Sequence, residues 1–297
     1  MKISLQEIRT MATKATEVRR LQIEPCAGTL GAEISGVDLS QPVDDELIAE
    51  IRQALLDNLV IFFRDQHITP EQQIEFGRRF GELHIHPYIP HREGYPEILQ
   101  LQSKADGPSY MAYQSNTWHT DLTYEAEPPM GCILRAVEVP QAGGDTMWNN
   151  LHAAYDALSK PMQEFLDDKI AIHYIAVSMP ADFLEQKSSG QQVERFQDKT
   201  PPVEHPVVRT HPETGRKGLF VNRNFTSHIL GLKRAESDAL LAFLLQHVEQ
   251  PEFVVRFHWA KDSIAMWDNR CTQHYAIVDY TSQRTMNRVT ICGDRPW

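Results

Sequence analysis

The residues best suited to chemistry are Trp118-His119-Thr120-Asp121, taken together with His274 far downstream and the arginines that follow it. Side chains repeat every two residues along an extended chain, so an H-x-D pair sets an imidazole and a carboxylate on the same side. One further histidine supplies two neutral nitrogens and one anionic oxygen in all. That set suits a mononuclear Fe(II) held on one face, with its other positions open for substrate and oxygen. Arg284, ten residues past His274, is the cation that a dicarboxylate co-substrate needs. Taken alone the pattern is weak, because most H-x-D pairs are solvated or satisfied by hydrogen bonds and the chain carries 13 histidines. Two histidines and a carboxylate also serve a zinc-dependent hydrolase. A non-catalytic barrel that merely binds a small anion would not require an intact ligand set at all.

The ligands are scattered from 119 to 274, so they meet only if the chain folds back on itself, as in a double-sheet jelly roll. The hydrophobic pattern fits that demand. Short apolar runs and glycines between Leu21 and Ile34 read as strands and turns. Asp44–Asn58 reads as a helix capped by Asp44 or Asp45, with Leu47, Ile48, Ile51, Ala54 and Leu55 on one face. Leu59–Phe63 is a continuous apolar run of strand length, expected to be buried on both faces. Thr69-Pro70-Glu71-Gln72 is a capping box with proline at the first helical position, opening a helix to about Phe80. Beyond Gly81 strands dominate, with candidates at 133–139, 253–259, 263–267 and 289–292, interrupted by helices near 149–158 and 234–248. The polar, Ser/Gly/Gln-rich stretch 178–202 is expected to be a long loop or lid over the site. The expected fold is mostly β with flanking helices around a double-stranded β-helix (jelly roll, cupin-like) core. Residues 21–297 are read as one domain, and 1–20 as a disordered tail.

Composition bounds the partners. A net charge of −11 makes nucleic acid and anionic membranes poor partners. No run approaches the ~20 apolar residues of a membrane span, and the N-terminus has no apolar segment of signal-peptide type, so the expected location is cytoplasmic. Cys26, Cys132, Cys271 and Cys292 form no C-x-x-C and read as reduced, buried thiols.

Several longer blocks carry a resemblance: GAEISGVDLS, RDQHITPEQQ, FGELHIHP, WHTDLTYEAEPP, GGDTMW, HPVVRTHPETGRKGLFVN, WDNRCTQHYA and RTMNRVTICGDRP. Together they resemble the taurine dioxygenase (TauD/TfdA) family of Fe(II)/2-oxoglutarate-dependent oxygenases over nearly the whole chain from residue 22. The resemblance implies iron ligands at His119, Asp121 and His274. It implies a 2-oxoglutarate far carboxylate gripped by Arg284 and supported by the Thr146 hydroxyl, and a substrate anion on Arg288 and His86 with Phe225 as a pocket aromatic. It further implies O2 as co-substrate, hydroxylation of the carbon next to the heteroatom of a small anionic substrate, and assembly as a homodimer or homotetramer. An alkylsulfonate such as taurine would give sulfite, an aldehyde, succinate and CO2. An alkyl sulfate ester or aryloxyalkanoate handled by the same chemistry is the alternative. One departure concerns the far end of the pocket. Ile89 stands where the taurine-oxidising members carry a tyrosine, with Tyr88 one step early, and Ser115 or Asn116 stands in for an asparagine that contacts the substrate amine. His84 is expected to be solvated or structural, and Trp118 and Trp267 to pack beside the ligands.

Overall fold

A computed structural model describes residues 20–86, 91–103, 115–178 and 200–297. Its largest element is an eight-stranded sheet built from β1 (Gln22–Pro25), β2 (Ala32–Ser35), β3 (Val60–Phe63), β4 (His91–Arg92), β5 (Tyr95–Ser103), β6 (Gly131–Glu138), β14 (Ile264–Asp268) and β16 (Arg284–Ile291). The strand order is β1-β2-β3-β14-β6-β16-β5-β4, antiparallel throughout except for β2 and β3. A second sheet of order β13-β7-β15 comprises β13 (Val254–Phe257), β7 (Thr146–Asn150) and β15 (Thr272–Ala276). The remaining strands, β8 (Ile170–His173), β9 (Val203–Pro206), β10 (Val208–Thr210), β11 (Lys217–Leu219) and β12 (Thr226–Ile229), form two small sheets, β12-β8-β9 and β10-β11.

Alternation along the central strands explains the layering. On the large sheet Ile61, Phe63, Ile133, Met266 and Ile291 face one way, into a cluster with Ile48, Ile51, Leu55 and Phe76. Those partners come from α1 (Asp45–Asn58) and α2 (Pro70–Arg78). The intervening residues Phe62, Leu134, Ala265, Trp267 and Met286 face the other way, against Trp148, Val255 and Phe257 of the second sheet. Each strand thus covers both faces, and β3 and β16 are buried along their whole length. This is the double-sheet core expected from the sequence.

Local signals fall where they were read, with small shifts. Asp44 caps α1 by accepting from the Leu47 N–H at 2.8 Å, and the Thr69/Gln72 box closes in both directions, although α2 ends at Arg78, short of Phe80. α3 (Leu151–Asp156) and α5 (Arg234–Val248) match the expected helices, while α4 (Lys160–Leu166) was not anticipated. The last core strand begins at Arg284, well before the apolar run at 289, because buried polar residues hid its start.

Arg20, the first described residue, pairs through its guanidinium with Asp44 and Glu46. One expectation needs correction. Only Cys132 and Cys271 are buried. Cys26 and Cys292 are exposed, at the ends of β1 and β16, although all four thiols are free as expected. The rest of the proposed tail, most of the 178–202 loop, Tyr88 and Ile89 lie outside the described residues. No helix among those residues is long and apolar enough to cross a membrane.

Candidate metal and co-substrate site

Two strands and one turn build the site. His274 sits in β15, in the sheet facing the large one. His119 does not lie on a full strand. It forms a single antiparallel bridge to His274, with backbone bonds of 3.1 Å and 2.8 Å in the two directions. Asp121 already begins a turn, and Leu122 after it adopts φ +54°. A non-glycine residue in that region is uncommon and marks a chain bent to aim a neighbour. The extended H-x-D reading is therefore half right: the two side chains converge, but a turn and not a strand brings the carboxylate round.

The three donor atoms lie within 4.8 Å of one another. His119 Nε2 and His274 Nε2 are 3.7 Å and 3.9 Å from Asp121 Oδ1, too far for hydrogen bonds and suited to sharing an ion. The Thr117 carbonyl can only accept, so the 2.7 Å contact to His119 Nδ1 puts the proton there and turns the Nε2 lone pair inward. Burial lowers both imidazoles below their ordinary value, His274 to about 3, so both are neutral. Burial by itself would raise the Asp121 carboxyl. The Arg288 guanidinium holds it well below the usual carboxylate range. Two neutral nitrogens and one anionic oxygen on one face fit a ferrous ion and leave its opposite face free.

β16 supplies both arginines on one face, four residues apart. Arg288 Nη1 donates to Asp121 Oδ2 at 2.9 Å. Arg284 is different: it is buried and makes no salt bridge among the described residues, and its Nε has no hydrogen-bond partner there. Burial pulls its pKa down, outweighing the opposing pull of the Tyr280 hydroxyl and the Asp145 charge. A desolvated guanidinium with spare donors is a receptor for an anion brought from outside. Gly144 lies against its stem, since a Cβ there would meet Arg284 Cδ at 3.3 Å, and φ of +71° favours glycine at that point. That contact brings the Gly143–Thr146 segment to Arg284. The Thr146 hydroxyl is buried nearby and accepts from Trp259 Nε1 at 3.0 Å. Tyr280, whose ring centre is 6.0 Å from the Arg284 guanidinium carbon and whose hydroxyl meets Ser103 at 2.9 Å, completes this end. Nothing in its sequence context marked Tyr280.

Segment 83–86 runs beside β16 through a Leu83–Ile291 bridge and a His84 N–H to Thr290 carbonyl bond of 2.9 Å. It carries His86 inward, where burial and then the Arg288 charge lower its pKa to about 4. His84 turns aside to Glu125 at 3.4 Å. Phe225 packs on Tyr124, ring centres 5.0 Å apart, in a small cluster with Leu122. Asn116 is half-buried just ahead of the ligand turn. Trp267 lies 4.9 Å from the His274 ring, and Trp118 rests 5.6 Å from the Tyr275 ring.

A second set, His211, Asp268 and Cys271, also clusters. There His211 Nδ1 accepts from the Thr214 N–H at 3.1 Å, so its Nε2–H donates to Asp268 at 3.0 Å. Asp268 also takes Arg270 at 2.6 Å. Both Asp268 oxygens and His211 Nδ1 already accept hydrogen bonds, and the cluster is an ionic lock beneath the β14–β15 connection that leads to His274.

Below the ligand turn, His205 Nε2–H donates to the carbonyls of Thr123 and Glu125, each at 3.0 Å, and His173 Nδ1 meets the Thr123 hydroxyl at 2.9 Å. Burial lowers His173 to about 3 and His205 to about 4. Below about pH 6.5 the unfolded chain takes up protons that the folded protein refuses. Stability is therefore complete above that value and falls as the pH drops towards 4, by ~1.4 kcal/mol per pH unit for each histidine. In melting curves between pH 7 and 4.5, a His205→Gln variant will show a shallower acid decline than the parent. Equal slopes would dismiss this account.

The comparisons with known proteins bear on this geometry. Residues 22–290 match the family described as "Taurine catabolism dioxygenase TauD, TfdA family". This chain belongs to that family. An α-ketoglutarate-dependent sulfate ester dioxygenase of Pseudomonas putida is 39% identical, over 95% of this chain and 93% of its own length. The crystal structure of a taurine dioxygenase from Burkholderia xenovorans superposes with a TM-score of 0.79 at 38% identity, covering 93% of this chain and 91% of its own. AAD-2 in complex with Mn(II) and N-oxalylglycine does so at 0.76 and 26%, over 93% and 98%. The protein is accordingly a 2-oxoglutarate-dependent non-haem iron dioxygenase with the jelly-roll core of its family, using Fe(II), 2-oxoglutarate and O2. The zinc-hydrolase and passive-barrel alternatives are set aside.

Proposed function

We propose that this enzyme hydroxylates a small organic anion at the carbon next to its sulfur or ester oxygen, with an alkylsulfonate such as taurine as the leading substrate. In this reading His119, Asp121 and His274 hold Fe(II), and Arg284 with Thr146 holds the far carboxylate of 2-oxoglutarate. The observation that carries it is the pair of buried cations on one strand face. Arg284 forms no salt bridge among the described residues and leaves its Nε unpaired, while Arg288 sits 2.9 Å from the Asp121 carboxylate. One guanidinium thus serves an anion at a distance from the metal, and the other an anion beside it. Bound iron and 2-oxoglutarate supply activation of O2 coupled to decarboxylation to succinate and CO2.

The protein's own contribution is placement and dryness. Arg288 grips the substrate anion, and neutral His86 offers it an N–H. Phe225 with Tyr124 walls the carbon chain, so that the target C–H is held towards the metal face. Asn116, or Ser115 beside it, would line the far end, and Ile89 replaces a tyrosine of the taurine-oxidising members in the sequence there. The hydroxylated sulfonate then breaks its C–S bond to give an aldehyde and sulfite.

A second reading has its own support. The Pseudomonas putida relative is named a sulfate ester dioxygenase, and a sulfate ester offers the same three-oxygen anion to Arg288. Its hydroxylated product would split at the C–O bond to aldehyde and sulfate. Aryloxyalkanoates remain the third class. A panel of taurine, longer alkylsulfonates, alkyl sulfates and aryloxyacetates, each scored for succinate, sulfite and sulfate, separates the readings. Succinate matched by sulfite supports the first, and succinate matched by sulfate the second. Succinate released only with aryloxyacetates would overturn both. A homodimer or homotetramer in the cytoplasm completes the proposal, and sedimentation of the purified protein tests its assembly.

A further inference from the structure

Asn269 belongs to no ligand set, yet it touches the site from behind. It sits in the turn between β14 and β15, where the chain crosses from the large sheet to the strand that carries His274, and is fully buried. Its Oδ1 accepts the Asp121 backbone N–H at 3.0 Å, while its Nδ2 donates to the Asp121 carbonyl at 3.1 Å and to the Pro129 carbonyl at 3.1 Å. An N–H can only donate and a carbonyl can only accept, so the orientation of this amide is fixed by its partners. Its own backbone N–H donates to the Met130 carbonyl at 2.9 Å. One side chain therefore grasps both polar backbone groups of the carboxylate ligand and ties them to the turn that leads into the strand of the second histidine. The strained turn at Leu122, next in sequence, shows why a clamp is needed: without it the peptide of Asp121 has no strand ladder to hold it.

We propose that Asn269 is a positioning residue for the metal centre, fixing Asp121 relative to His274 so that the three donors are preorganised before an ion arrives. The inference rests on the reading of His119, Asp121 and His274 as the ligands. Groups that orient ligands without touching the ion typically govern metal affinity by ~10–100-fold. Aspartate cannot substitute, because a carboxylate in place of Nδ2 would face two carbonyl oxygens.

The test is Mn(II) titration followed by loss of the free-ion electron paramagnetic resonance signal, on the full chain and on Asn269→Ala, Asn269→Ser and Asn269→Asp. Gln73→Ala is the stability control. Gln73 is equally buried and bonds two core carbonyls, of Ile133 and Asn287, but touches no ligand segment. Losing hydrogen bonds lowers stability in all four variants. A purely structural role leaves the affinity of the folded molecules unchanged, because destabilisation does not alter the folded site. The expected result is Mn(II) binding weakened ~10–100-fold in the Asn269 variants that fold, with Asp at least as poor as Ala, and unchanged in Gln73→Ala. Affinity within about twofold of the parent in any folded Asn269 variant would overturn the proposal. Parent protein that binds no Mn(II), like a His119→Ala control, would instead overturn the ligand reading itself and the inference with it.

Discussion

Replacing Asp121 by alanine will abolish succinate formation and, unlike loss of a histidine ligand, will also weaken the metal-free fold. The first effect follows from the donor set. Without the carboxylate, two neutral imidazoles remain, and nothing anionic holds a divalent ion. The second follows from Arg288, whose guanidinium is buried against Asp121 Oδ2 at 2.9 Å. Removing one member of such a pair leaves an uncompensated buried charge, typically a loss of about 3–5 kcal/mol. His119→Ala removes a ligand but leaves the Arg288–Asp121 pair intact, so it should be inactive at smaller cost to stability. Succinate assays and urea unfolding of the two metal-free variants give the comparison. An active Asp121→Ala protein would defeat the ligand assignment, and equal unfolding midpoints would defeat the role given to Arg288 in the empty site.

Arg284→Ala will raise the 2-oxoglutarate requirement roughly thirty- to several-thousand-fold, from the 2–5 kcal/mol carried by a desolvated, hydrogen-bonded charge pair at ~1.4 kcal/mol per decade. The requirement for the sulfonate or sulfate, measured at saturating co-substrate, should move little. Stability sets this variant apart from Asp121→Ala. Arg284 forms no salt bridge among the described residues, and burial outweighs the support it has from Tyr280 and Asp145, so its removal relieves a buried charge and will not destabilise the metal-free protein. Apparent KM values for both substrates, with unfolding curves, test this. A variant that demands more sulfonate but ordinary 2-oxoglutarate would exchange the roles of Arg284 and Arg288.

Much of the architecture was legible because its signals are local. The Thr69 capping box, the Asp44 cap and the apolar run of β3 each depend on a few adjacent residues, and each formed as read. The misses share a cause. β16 was read as starting at Val289 because its first half, Arg284–Arg288, is polar. The site buries those residues, so hydrophobicity gives no sign of the strand. Cys26 and Cys292 were expected inside because cysteine is usually buried, but they fall just past strand ends. Asn269 and Tyr280 carry no spacing rule at all, since their partners lie far away in sequence.

The amino-acid sequence by itself determined the residue types of a ferrous site, the spacing from His274 to Arg284 and Arg288, and the two-layer β core that could unite them. Only the tertiary structure decided that Asp121 reaches the imidazoles through a strained turn, that Asn269 clamps it, and that Arg288 forms a salt bridge while Arg284 forms none among the described residues. The physical reason is range. Caps, runs and alternation are settled between neighbours along the chain, whereas the aim of a carboxylate and the counter-ion of a buried arginine are settled by whatever the fold brings beside them.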